Sequence, residues 1–90
     1  MKIKVKYVKL GKTKSWGWAH HENNLIELDV RLKGKKHCEI LTHELIHLLF
    51  PKLSEEEVIK KSVIFTNVFW EQGYRRMDNS NDEPLQDGTL

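Results

Sequence analysis

The hydrophobic period of this chain changes once, near Gly34, and that change restricts the fold more than any other feature of the sequence. Before it, residues 2–10 (KIKVKYVKL) largely alternate polar with β-branched or aromatic side chains, the period of a half-buried strand. Gly11 to Ser15 reads as a turn. Trp16 and Trp18 then flank Gly17 with the same-face spacing of a strand, as core or as a pocket wall. Glu22-Asn23-Asn24 is turn chemistry, and Leu25 to Val30 resumes the alternation, so a hairpin is expected. From about Lys36 the spacing becomes helical, with Cys38, Leu41, Leu45, Leu48 and Leu49 on one face that should pack on the sheet. Pro51 stops this helix. Ser54 with Glu57 three positions on is a capping-box start for a second helix, and Val58, Ile59, Val63, Phe65, Phe69 and Trp70 give it a broad apolar surface before Gly73 ends it. The expected fold is α+β: a small antiparallel sheet of about three strands, a helix at about 36–50 and another at about 54–73.

Ninety residues make one domain. It should occupy residues 1–77, because residues 78–90 are Asp, Asn, Ser, Gly and Pro with scarcely a hydrophobe and read as a disordered acidic tail. With 39% hydrophobic and 31% charged residues the composition is that of a globular protein. No run approaches membrane-spanning length and no basic cap precedes an apolar stretch, so the default compartment is the cytoplasm, with no membrane partner. Cys38 is the only cysteine, which excludes an intramolecular disulfide and leaves any metal to histidines and carboxylates. Residues 1–36 hold ten Lys/Arg against three Asp/Glu, and residues 37–90 hold five against ten, so the halves carry +7 and −5. A basic half could face nucleic acid. Yet Lys2, Lys4, Lys6 and Lys9 alternate with apolar residues, as on the solvated face of an edge strand, and any nucleic-acid binding should be non-specific and salt-dependent.

His43-Glu44-Leu45-Ile46-His47 places two imidazoles four residues apart, one turn above each other on a helix, where they can share a metal. Glu44 points about 100° away from His43, so its carboxylate reaches a metal-activated water without being a ligand. Zinc brings the pKa of such a water towards neutrality, and the carboxylate can take its proton during attack on a carbonyl and pass it to the leaving amine. His43, His47 and Ile40 are expected on the helix face opposite the Cys38/Leu41/Leu45/Leu48 stripe.

The runs Asn24 to Lys36 (NLIELDVRLKGKK), Leu41 to Pro51 (LTHELIHLLFP), Leu53 to Val58 (LSEEEV) and Phe69 to Arg75 (FWEQGYR) resemble the small zincin-like metallopeptidases of bacteria and phages, comparable to SprT-like and ImmA-like domains. The resemblance spans roughly residues 16–76 and is specific at HExxH. It implies a minimal zincin fold, a strand beside the active-site helix and a third ligand on the next helix. The chain departs from SprT-like patterns in having no histidine after His47, so that ligand should be acidic. Glu55 is the first candidate, because it lies on the apolar side of the second helix, whereas Glu56 and Glu57 point to opposite flanks and Glu57 already serves the cap.

The expected function is therefore zinc-dependent peptide hydrolysis, with Glu44 as general base and His43, His47 and Glu55 as ligands, acting on an extended peptide or protein segment beside an edge strand. The alternative is a non-catalytic zinc-binding module that engages a protein or nucleic-acid partner; four protein ligands would favour it, three the enzyme. His20 and His21 lie on opposite faces of their strand, so at most one can approach the metal or an oxyanion. His37 is too far around the helix to join, and Cys38 reads as a small buried hydrophobe. Tyr74 and Arg75 follow the second helix as weaker candidates for oxyanion donors. Substrate identity and oligomeric state are not legible.

Overall fold

The structure, a computed structural model, describes residues 1–11 and 15–77; the expected acidic tail and the middle of the Gly11–Ser15 turn lie outside the described residues. Three strands, β1 (Lys4–Val8), β2 (Gly17–His20) and β3 (Leu25–Asp29), precede two helices, α1 (Gly34–Leu49) and α2 (Glu55–Glu71), which is the expected α+β class. The sheet order is β1-β3-β2. The β2–β3 hairpin is antiparallel as expected, turning through a short 3-10 segment at His21–Asn23 and a left-handed Asn24 (φ 51°), a conformation asparagine tolerates well.

β1 departs from expectation: it pairs with β3 in parallel, Val5 opposite Ile26 and Tyr7 opposite Leu28, so the sheet is mixed. The strand order accounts for this: β1 and β2 flank β3 and run in opposite directions, so with β2 antiparallel to β3 the pairing of β1 with β3 is parallel. Asp29 holds this corner. Its carboxylate, fully buried at the end of β3, accepts from the Leu10 N–H (3.1 Å), the Arg31 N–H (2.9 Å) and the Arg31 guanidinium (2.8 and 2.9 Å). Bonding to Arg31 keeps the carboxyl far below the usual carboxylate range.

Ile26 and Leu28 are wholly buried and form the core with Leu32 and Leu48, against which Ile3, Tyr7, Ala19, Ile40, Leu41 and Leu45 pack. The opposite face of the sheet carries Lys4 and Lys6, both exposed, with β1 the edge strand anticipated from its lysines. α2 starts at Ser54, whose Oγ accepts from the Glu57 N–H (3.2 Å), while the Glu57 carboxylate pairs with Lys61 (2.8 Å) instead of returning to the cap. Gly73, at φ 88°, closes the helix with Tyr74 N–H donating to the Phe69 carbonyl (2.9 Å), a left-handed terminus for which glycine is suited. The buried stripe of α2 is Val58, Ser62 and Thr66, far more polar than the apolar residues on its other faces. Thr66 Oγ1 is buried with no hydrogen-bond partner among the described residues. No helix among them is long and apolar enough to cross a membrane.

His37, read as outside the site, is buried in the first turns of α1, where its Nε2 and the Tyr7 hydroxyl are hydrogen-bonded (2.8 Å) and the rings stack at 5.9 Å. Arg76 lies over the Tyr7 ring at 4.5 Å. Burial, reinforced by the Arg76 charge, holds the His37 pKa below 6.5. The unfolded chain therefore takes up a proton near pH 6.5 that the folded chain refuses, and stability falls as the pH drops from there towards the lower folded value. The urea midpoint of the parent is expected to decline over this window, and His37→Gln, which cannot titrate, to decline less. Identical pH slopes for the two proteins would remove His37 as a source of the loss.

Candidate metal centre

α1 is covered on two sides, by the sheet and by α2, and this changes the expected layout of its faces. Ile40 packs against the core and does not share a solvated face with the histidines. Leu49, expected in the core stripe, is 47% exposed, and Cys38 is only partly buried. The row Ile40, Glu44, Leu48 points to the sheet. Ile46 is buried on the other side. His43 and His47 lie in the corner between these directions, about 60–100° from the sheet-facing row and not opposite it. Their side chains are 17% and 27% exposed.

In that corner the Glu55 carboxylate from the first turn of α2 meets both rings, Oε1 at 2.8 Å from His47 Nε2 and Oε2 at 3.3 Å from His43 Nε2. These ligand atoms all lie within 4.8 Å of one another, and no other group of three potential ligands is found among the described residues. Glu55 stands where the apolar direction of α2 placed it. Glu57 is occupied by Lys61, and Glu56 is exposed outside the cluster. The donor set suits zinc: donors 2.0–2.2 Å from a tetrahedral ion stand roughly 3.3–3.6 Å apart, so the 2.8 Å contact must open and the widest separation, within 4.8 Å, must close, by about an ångström or less at each group. Burial pushes the His43 pKa down, with His47 adding to the effect and Glu55 and Glu39 opposing it. A neutral imidazole is the form that donates to a metal.

Glu44 is 8% exposed and no member of the ligand group. Burial raises its pKa, His47 opposes the shift and Glu55 adds to it. Its seat depends on Gly17: a Cβ there would stand 2.9 Å from Glu44 Cγ and from Ile40 Cγ2, and 3.1 Å from Leu28 Cδ2, closer than side chains approach. Sequence reading passed over Gly17, although a glycine inside a strand often marks close backbone approach.

His43, Glu44, His47 and Glu55 line a cleft of about 690 Å³ together with Ser15, Gly17, Trp18, Ala19 and His21. One wall is β2, the edge strand on the side away from β3. Trp18, 53% exposed, is pocket wall and not core; Trp16, 41% exposed, is covered by Arg31 at 5.1 Å and is absent from the lining. His21 reaches the cleft and donates through Nε2 to the His47 carbonyl (2.8 Å), bracing α1. His20 faces the other way, stacked on Trp18 (5.1 Å) and paired with Glu27 (3.0 Å). Tyr74 packs edge-on against Phe69 and Arg75 lies over Trp70, and neither lines the cleft. Comparison of the chain with protein-family models, with curated proteins and with solved structures finds no match, so the reading of this site rests on its geometry and donor chemistry.

Proposed function

We propose that the chain is a zinc-dependent metallopeptidase of the HExxH, zincin-like kind. The observation that carries the reading is the convergence of His43, His47 and Glu55 from two helices at a cleft that also holds the buried Glu44 and is walled by an edge strand. Three protein ligands leave a tetrahedral ion one open position, the arrangement of catalytic rather than structural zinc, and this favours the enzyme over the non-catalytic module. Zinc bound there would act as a Lewis acid, polarising a substrate carbonyl and acidifying water. The chain's own residues do the rest. Glu44, its carboxyl pKa raised by burial, accepts a proton from the attacking water and returns it to the departing amine. The free edge of β2 can pair with an extended substrate backbone, holding it across the cleft.

The test is hydrolysis of an unstructured protein and of an extended-peptide library by zinc-loaded protein, with new amino termini as the readout. Glu44→Gln is expected to bind zinc as the parent does and to lower the rate by about 10²–10⁴-fold, the usual worth of a positioned general base. A zinc-loaded parent that cleaves none of these substrates, or a Glu44→Gln variant as fast as the parent, would refute the proposal.

A further inference from the structure

α1 packs on the sheet face that carries Ile26 and Leu28, and α2 packs on α1, so the opposite face of the sheet has no covering element among the described residues. Strand register sets what stands there: Lys4 and Lys6 of β1, Leu25 and Glu27 of β3, and Trp18 and His20 of β2. Trp16, two residues before Trp18, adds a second exposed ring at the end of the sheet where Arg31 follows β3. Each ring is held by a neighbour that is itself fixed. His20 stacks on Trp18 (5.1 Å) and is tied to Glu27 (3.0 Å). Arg31 lies over Trp16 (5.1 Å), and the buried Asp29 carboxylate grips its guanidinium (2.8 and 2.9 Å). Two exposed rings already fixed in place form a stacking surface that loses little freedom when a flat ligand settles on it.

The charge beside the rings indicates the ligand. Six lysines and no carboxylate precede Glu22 in the sequence. Lys4 and Lys6 are exposed and pair with no carboxylate among the described residues, while the two acidic groups of the face are already engaged, Glu27 by His20 and Asp29 by Arg31. Alternate residues of a strand stand roughly 6.6 Å apart, and two strand spacings put Lys6 about 10 Å from Trp18, so a row of phosphates along β1 leaves its bases within reach of the rings. We infer that this face binds a single-stranded nucleic acid, its bases stacked on Trp18 and Trp16 and its phosphates on Lys4 and Lys6. A duplex keeps its bases stacked on one another and offers the rings nothing but its backbone. A bilayer fits less well, because Val8 and Leu25, the aliphatic members of the face, are only partly exposed. The metal centre lies on the helix side of the sheet, where Gly17 meets Glu44, so binding at this face needs no zinc and is independent of peptide hydrolysis.

Fluorescence anisotropy of a labelled oligothymidylate of about 15 nucleotides, titrated with the full chain from roughly 20 to 200 mM salt, tests this. Log Kd is expected to rise with log salt concentration at a slope of about 1.4, roughly 0.7 for each of two neutralised phosphates, and Lys4→Ala and Lys6→Ala should each remove about 0.7 of it. Trp18→Ala should raise Kd roughly 5- to 100-fold at an unchanged slope, the loss of one stacked base, and Trp18→Phe should recover most of that loss. All four substitutions are at exposed positions, and unchanged far-UV circular dichroism checks that the fold is kept. A duplex of the same length should bind at least about tenfold more weakly. No saturable binding at the lowest salt, equal affinity for the duplex, a parent Kd for Trp18→Ala or a parent salt slope for both lysine variants would overturn the proposal. Binding of anionic lipid vesicles or of an acidic protein in place of the oligonucleotide would overturn it equally.

Discussion

Glu55→Ala is expected to weaken zinc binding by more than about 100-fold, since even residues that only orient a ligand are worth 10–100-fold. His43→Ala and His47→Ala should do the same, each removing one of three donors that lie within 4.8 Å. Glu56→Ala and Glu57→Ala are the controls. They carry the same charge on the same turn of α2, so a loss caused merely by less negative potential would appear in all three variants. Only Glu55 touches both imidazoles, while Glu57 bonds to Lys61. Competition titration against a chromophoric chelator measures the affinities. If Glu55→Ala binds zinc as tightly as the parent while Glu56→Ala or Glu57→Ala does not, the ligand set is wrong.

Gly17→Ala should have the next largest consequence, because a single methyl group enters a place already filled by Glu44, Ile40 and Leu28. Of these, Leu28 is wholly buried and Ile40 packs against the core, so neither can swing into solvent. Overpacking of this kind costs about 1–3 kcal/mol. Glu44 is the movable neighbour. The variant is expected to unfold at lower urea, to keep its zinc affinity within a few-fold, and to lose hydrolysis because the carboxylate is displaced. Ile40→Ala, which removes the Cγ2 atom that the added methyl would meet, should recover part of the lost rate. Equal stability and rate for Gly17→Ala and the parent would mean that β2 does not hold Glu44 in place.

What could be read from residues alone, and what could not, follows from the range of each interaction. The hairpin, both helices, the stop before Pro51, the Ser54 cap and the Gly73 terminus are encoded within a few neighbours, and each stands within two residues of its expected place. The zincin-like resemblance implies a third ligand on the second helix and the phase of that helix selects Glu55 among its first-turn carboxylates, and the structure places Glu55 beside His43 and His47. Three features did not follow. The parallel pairing of β1 depends on which edge of β3 it joins, and alternation is the same for either edge. The histidine row sits beside the sheet-facing row because α2 covers a second side of α1, which a single stripe cannot report. Phe65 and Phe69 belong to the broad apolar surface expected of the second helix, yet the buried stripe of α2 is Val58, Ser62 and Thr66.

The strand order carries a consequence for how such a site can be inherited. Everything that lines the cleft, from Ser15 to Glu55, lies on β2 and the segment just ahead of it, the hairpin turn, α1 and the start of α2, whereas β1 joins the assembly chiefly along the outer edge of β3. The candidate site thus occupies one uninterrupted stretch of the chain, and β1 is an accessory clasp fastened at Asp29. A clasp of this kind is the part that can be lengthened, exchanged or supplied by different flanking sequence while the segment that carries the site passes on whole.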